Sequence, residues 1–184
     1  MSTELAVISD THVPAREEAI PEPFRERIAA ADHAIHAGDF ETSAVLSELC
    51  ELSADLTAVH GNADPAGIGL PAVADLSVEG ITFVVTHGTL NPVEAAVYSH
   101  DGMVLREEDW ANAIADTTRA RARAWDDESV IGIGGHTHRI EDRVHEGVRL
   151  LNPGSATGAE PADEATMLTV VVDDGAVDVT LHRA

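Results

Sequence analysis

Leu5-Ala6-Val7-Ile8-Ser9-Asp10-Thr11-His12 is the stretch whose reading decides the fold class. Four consecutive apolar residues are too few for a helix and suit a strand buried on both faces. The run stops at a carboxylate and an imidazole two residues apart, so one strand end delivers two polar side chains from an irregular loop. The same pattern repeats downstream. Pro21 to Ala31 reads as a helix with proline in its first turn. Ala34-Ile35 reads as a second strand, ending in Ala37-Gly38-Asp39. Thr42 reads as the N-cap of a helix that carries Val45, Leu46, Leu49 and Leu52 at helical spacing, with Cys50 expected, inert, on its apolar face. Leu56 to Val59 reads as a third strand, ending in His60-Gly61-Asn62. The order β-α-β-α-β favours a parallel sheet and an α/β fold.

Beyond this point the texture changes. Val73 to Val78 and Ile81 to Thr86 flank Glu79-Gly80 and read as a hairpin. Val130 to Ile133 is a further strand that stops at Gly134-Gly135-His136. Arg139 to Val144 and Val148 to Leu151 flank Glu146-Gly147, and Met167 to Asp173 and Val177 to Leu181 flank Asp174-Gly175, two more hairpins. Between Asn91 and Asp127 lies a polar segment with a helix expected from Glu107 to about Ala124. No linker, repeat or low-complexity tract interrupts the chain, and residues 1–184 read as one domain with a largely β C-terminal half.

Five of these strand ends carry ligand-type residues: Asp10 with His12, Asp39, Asn62, His87, and His136 with His138. Strand ends of an open α/β sheet lie along one edge, where ligands bind. Seven nitrogen and oxygen donors converging there suit two divalent metals. Without thiolate, such a set favours Mn, Fe, Co, Ni or Zn over Ca. Gly38, Gly61, Gly88 and Gly135 beside the donors permit tight turns and close approach. Singly, a histidine at a strand end, an acid at a helix start or an asparagine in a turn has an ordinary structural role; the conjunction is what points to a metal site.

Ser9-Asp10-Thr11-His12, Gly38-Asp39, Gly61-Asn62, Thr86-His87-Gly88 and Gly135-His136-Thr137-His138 resemble the ordered motifs of the calcineurin-like metallophosphoesterases. The short chain and the Asn152-Pro153-Gly154-Ser155 turn resemble most the small YfcE-like phosphodiesterases, over about Leu5 to Ser155. The resemblance implies a two-sheet β-sandwich flanked by helices and a dinuclear site. In it Asp10, His12 and His138 would hold one metal, and Asn62, His87 and His136 the second, with Asp39 bridging both. Asp39, Asn62 and His87 would be catalytic as well as metal-holding. The implied activity is hydrolysis of phosphodiesters, and of monoesters in some members. A hydroxide shared by two ions, Mn first among the candidates, would be the nucleophile, with no protein nucleophile. The implied partner is a small phosphate ester, and relatives are often dimers or tetramers, so a homo-oligomer is compatible.

One motif departs from the pattern. Many members place His, and the small ones Cys, directly after Gly-Asn; this chain has Ala63, then Asp64. Thr89 stands where relatives often have another His. A positioned acid contributes about 10²–10⁴-fold, so protonation of a leaving group falls to Asp64, His60 or water. His36 and His60 lie near the site, in supporting or phosphate-contacting positions, whereas His33, His100, His145 and His182 read as solvated or structural. Trp110 and Trp125 read as core or interface anchors. The alternative function is a catalytically weak or silent scaffold that binds proteins, like the retromer subunit of the same fold. Retention of all seven donors argues against it and Ala63 argues for it.

Composition narrows the partners. Thirty-three acids face 11 bases, all arginine, for a net charge of -22. Such a surface repels nucleic acid and anionic membranes at ordinary salt, and the short chain, without a nucleic-acid module or a basic stripe, disfavours a nuclease. The N-terminal Met-Ser-Thr-Glu has neither the basic region nor the apolar core of a secretory signal, and no apolar run approaches 20 residues. A cytoplasmic location is therefore the expectation. One cysteine excludes an intrachain disulfide framework. The acidic, lysine-free balance resembles proteins of salt-in halophiles. The Debye length contracts from ~10 Å at 0.1 M salt to ~3 Å at 1 M. The melting temperature should therefore be higher in molar KCl than in dilute buffer. An unchanged value would remove the halophilic reading.

Overall fold

The computed structural model describes residues 2–98, 102–104, 106–125 and 129–184. The chain runs through β1 (Thr3–Ile8), α1 (Glu22–Ala30), β2 (His33–His36), α2 (Ser43–Leu52) and β3 (Leu56–Ala58). It continues as β4 (Val73–Val78), β5 (Ile81–Thr86), α3 (Pro92–Tyr98), α4 (Glu107–Trp125) and β6 (Val130–Ile133). The last elements are β7 (Ile140–His145), β8 (Val148–Pro153), β9 (Thr166–Asp173) and β10 (Ala176–Arg183).

The strands form two mixed sheets of five, in the orders β10-β9-β1-β2-β3 and β4-β5-β6-β8-β7. β1, β2 and β3 are parallel, as are β5, β6 and β8; β9 and β10 extend the first sheet antiparallel beyond β1, and β4 and β7 are antiparallel strands on either side of the second. Leu5 and Val7 point into the core between the sheets, with Phe83, Val85, Ile133 and Val170. Ala6 and Ile8 point the other way, against Phe24 and Ile28 of α1 and Val45 and Leu49 of α2. The alternation of a strand puts successive residues on opposite faces, and both faces are covered here. That is why the opening run is continuously apolar. α4 covers the outer face of the second sheet through Trp110 and Ile114, which pack with Leu150 of β8. A Cβ on Gly132 of β6 would lie 2.6 Å from Thr118 Oγ1 and 2.7 Å from Ile114 Cγ2. The helix therefore rests directly on the strand.

The three hairpins turn at Glu79-Gly80, Glu146-Gly147 and Asp174-Gly175, each with positive φ at both residues, as the tight two-residue turn requires. The Thr42 hydroxyl caps α2 by accepting from Val45 N. Three readings need correction. The polar segment holds a second helix, α3, ahead of the expected one; it is short, and its signal is the pair Asn91-Pro92, since Asn91 Oδ1 accepts from Val93 N at 3.2 Å and Glu94 N at 3.1 Å. Cys50 is exposed, because α2 buries only Val45 and Leu49 and residue 50 is turned past that stripe. Asn152 and Pro153 end strand β8 before the chain turns at Gly154. Among the described residues no helix is long and apolar enough to cross a membrane. His100 and the side chain of Trp125 lie outside the described residues.

Candidate metal centre

The loops that follow β1, β2, β3, β5 and β6 meet at one end of the sandwich, and backbone bonds stitch them together. Asp10 N donates to Gly38 O at 3.0 Å, His12 N to Asp39 O at 3.2 Å, and Gly135 N to His87 O at 3.1 Å. Five of the seven expected ligands, Asp10, His12, Asp39, His136 and His138, have left-handed backbone with φ between 48° and 68°. A residue with a Cβ occupies that region at a cost of about 1–2 kcal/mol. Strain of this kind persists where surrounding structure over-determines it, typically at functional sites.

Two groups of donors converge within 4.8 Å: Asp10 with His12 and His138, and Asp10 with Asp39 and His87. All five side chains are buried. His138 Nε2 and His12 Nε2 stand 3.3 and 3.8 Å from Asp10 Oδ1 and 3.2 Å from each other. Asp39 Oδ2 lies 3.5 Å from His12 Nε2 and 3.3 Å from His87 Nε2, so one oxygen faces both groups. Asn62 Oδ1 joins the second group, 3.2 Å from His87 Nε2. His136 belongs to neither group of converging donors; its ring stands edge-on to that of His87, 5.3 Å between centroids.

The other nitrogen of each buried ring decides what the centre can hold. His12 Nδ1 donates to Glu41 Oε1 at 2.8 Å, His87 Nδ1 to the Ala37 carbonyl at 2.7 Å, and His138 Nδ1 to the Ala159 carbonyl at 2.7 Å. Those partners only accept, so each Nδ1 carries a hydrogen and each neutral ring presents a lone pair at Nε2. Lone pairs would then face carboxylate oxygens and one another, an arrangement that only positive charge between them relieves. A donating Nδ1 that leaves Nε2 free is also how metal-bound histidines are oriented. The donor set therefore fits divalent cations.

The protons respond to the same field. Burial pushes the His87 imidazolium down, but the Asp39 hydrogen bond and the charges of Asp10 and Asp39 outweigh it and hold its pKa up at about 9. Burial raises the Asp39 carboxyl, but its hydrogen bond and attraction to His87 and the Ala63 N–H bring it down to about 2. Asp10 is likewise lowered, burial being overcome by His138 and His87, and His138 is raised against burial by Asp10.

Two supporting residues were not given their role from sequence. Asp64 accepts from four backbone N–H groups: Gly61 at 2.8 Å, Asp39 at 3.0 Å, Phe40 at 2.7 Å and Glu41 at 3.0 Å. It ties the Asp39 loop to the Asn62 loop, with both carboxylate oxygens engaged as acceptors. Glu41 orients His12, and no spacing signal marks it. Gly61 and Gly135 are required by closeness, since a Cβ on either would overlap Asp39 Oδ1 or Ser9 Oγ and Asp10 Oδ2. The Asn152–Ser155 segment is structural, as expected: Asn152 Nδ2 donates to Gly135 O at 3.0 Å and Ser155 Oγ to Asp10 O at 2.8 Å.

The remaining expected residues sort simply. His36 is buried, stacks on Phe40 and accepts at Nδ1 from Gly38 N; burial drives its pKa down to about 3. His60 is exposed on the wall of a cavity that Asn62 and His136 also line. His33, His145 and His182 bond to Thr57, Asn112 and Thr169, away from the centre. Trp110 is a core anchor whose Nε1 donates to Gly135 O at 3.0 Å, joining α4 to the loop that bears His136.

Residues 3–175 match the model of the calcineurin-like phosphoesterase superfamily domain. A probable metallophosphoesterase of Methanothermobacter thermautotrophicus is 29% identical over 180 residues, covering 97% of this chain and 91% of the relative. A predicted phosphoesterase of Streptococcus pneumoniae superposes with a TM-score of 0.68 at 22% identity, over 100% of this chain and 90% of the other. Wild-type Vps29 of Entamoeba histolytica, solved as a complex with Zn²⁺, gives a TM-score of 0.61 at 25% identity, over 98% of each chain.

A raised pKa in the folded state stabilises fully below the unfolded value and loses that contribution as pH rises through the folded value. Metal-free protein should therefore lose stability from pH 6.5 towards about 9, the window set by His87. Thermal melts of chelator-treated protein check this. His87→Ala should flatten the slope, and Mn-loaded protein should show little of it. A flat profile in the metal-free natural protein would overturn the electrostatic account.

Proposed function

The chain belongs to the calcineurin-like phosphoesterase superfamily, and from that premise we propose that it hydrolyses phosphodiesters at a two-metal centre. The observation that carries the reading is the convergence of Nδ1-anchored imidazoles on Asp10 and Asp39. Asp10, His12 and His138 would hold one ion, Asn62, His87 and His136 the other, and Asp39, with one oxygen facing both groups, would serve both. Two divalent ions, Mn the first candidate, would when bound supply Lewis acidity and activated water at neutral pH.

The chain's own residues shape the rest. Asp10, His12, Asp39, His87 and His138 are buried, whereas Asn62 is exposed and His136 half-buried. The phosphoryl group would approach from the Asn62 and His136 side. Asn62 Oδ1 is turned toward His87, which leaves its amide nitrogen as a donor for a phosphoryl oxygen. Ala63 offers no side-chain proton, and its N–H is committed to Asp39 Oδ1 at 2.7 Å. With Asp64 occupied by four N–H groups, the leaving group departs largely as an anion, and His60 is the nearby side chain left to assist it.

Asp39→Asn and His87→Ala should each abolish turnover of bis-p-nitrophenyl phosphate and lower bound Mn, with Asp39 costing more because both groups depend on it. His145→Ala, bonded to Asn112 away from the centre, should turn over normally. Equal losses in all three would break the assignment. Metal-saturated protein that hydrolyses no ester would instead favour the scaffold reading.

Leaving-group acidity should control the rate, falling steeply from aryl to alkyl diesters. Ala63→His should narrow that gap, by at most the ~10²–10⁴-fold typical of a positioned acid, with metal content measured in the same variant. A shallow dependence in the natural protein would mean that an acid is present, and His60→Gln would identify it.

A further inference from the structure

Beside the centre lies a cavity of about 480 Å³ lined by both polar and apolar side chains. Its polar side is Asn62 and His136, two of the candidate metal-holding residues, with His60. Its apolar lining is Leu90, Met103 and Val104. Leu90 and Met103 are 51% and 56% exposed, on a protein of net charge -22. Single exposed apolar residues need no explanation, but two of the few large ones meeting at the open side of a candidate site do.

The apolar side is a built ledge. Leu90 and Met103 pair across an antiparallel bridge, flanked by Asn91 N to Gly102 O at 2.7 Å and Val104 N to Thr89 O at 3.0 Å. Asn91 fixes the ledge from beneath, since its Oδ1 caps α3 and its Nδ2 donates to Asp116 Oδ2 at 2.9 Å. No arginine lines this cavity among the described residues, whereas the adjoining cavity of about 350 Å³, which shares Val104 and His136, contains Arg106 and Arg139.

Resting on the phosphodiesterase reading, we infer that the ledge of Leu90, Met103 and Val104 is the subsite for an uncharged, apolar arm of the substrate, about the size of an aromatic ring, on a phosphoryl group seated at Asn62 and His136. An apolar arm laid on these side chains leaves water on both sides of the contact, at ~25 cal/mol per Å² removed. An anionic arm would meet the field of the acidic surface without a cation on this wall to pair it.

The test is equilibrium binding to Mn-loaded protein, by calorimetry, of phenylphosphonate against methylphosphonate. Both carry the same phosphoryl head and neither has an ester bond to hydrolyse. Phenylphosphonate should bind about tenfold tighter or better, as expected for burying a ring face. Leu90→Ser with Met103→Ser should bring the ratio close to one, with melting temperature and metal content recorded to show that the variant is folded and loaded. Val97→Ser, an exposed apolar position on α3 outside this cavity, should keep the full ratio. Equal affinities in the natural protein, or a preference that survives the double substitution, would overturn the subsite alone. Failure of both phosphonates to bind loaded protein would overturn the subsite and the phosphoesterase reading together.

Discussion

Two carboxylates, Asp10 and Asp39, are buried among imidazoles at one end of a β-sandwich, and the rest of the site follows from the need to neutralise them. An ionised carboxylate taken out of water without compensation costs several kcal/mol even after relaxation. Here the compensation is arranged from both sides. Ser9 Oγ and the His136 N–H donate to Asp10, and the Ala63 N–H donates to Asp39. The Nε2 atoms of His12, His87 and His138 complete the ring. The opposite directions in which His87 and Asp39 shift show one demand seen from two groups: positive charge belongs between them. Protons meet it partly, and divalent ions match the donors better because every Nδ1 is already turned outward.

Holding that cluster needs a backbone that the chain would not adopt unaided. Five of the candidate ligand residues sit in the left-handed region. Asp64 shows how such strain is held: one carboxylate gathers four N–H groups from two loops and sets Asp39 beside Asn62. The rigid parts lie further back, in the two-faced burial of β1 and the seating of α4 on β6. Trp110 bridges the two levels, since it belongs to the core of α4 and hydrogen-bonds the loop that bears His136.

The surface charge and the centre act on different ligands. Arginines are drawn into ion pairs such as Arg25 with Glu48, Arg121 with Asp75, Arg139 with Glu107 and Arg149 with Asp142. The uncompensated carboxylates leave a field that draws divalent cations toward the protein and opposes phosphate esters. At molar salt that field would be cut to a few ångström. An apolar ledge beside Asn62 and His136 is a form of contact that salt does not weaken.

Much of this was legible in the chain order. Leu5 to Ile8 is apolar without interruption because both faces of a central strand are covered, and turn pairs such as Glu79-Gly80 specify tight hairpins through backbone geometry alone. Ligand-type residues at successive strand ends announce a site because parallel strands place those ends along one edge. The local signals reach no further than a few residues. Asp64 could be read as an acid or as an acceptor until four N–H groups from two separate loops were seen to converge on it. Glu41 is an ordinary surface acid by sequence, and its bond to His12 spans 29 positions. Cys50 follows the helical stripe in sequence yet faces solvent, because the width of the buried face is set by what packs against α2. The ledge of Leu90 and Met103 joins segments separated by α3. Sequence thus determined which donors are present and which strand ends carry them. Tertiary structure decided which nitrogen of each imidazole is free and which carboxylate faces which ring, because those choices depend on the direction of hydrogen bonds between loops distant along the chain.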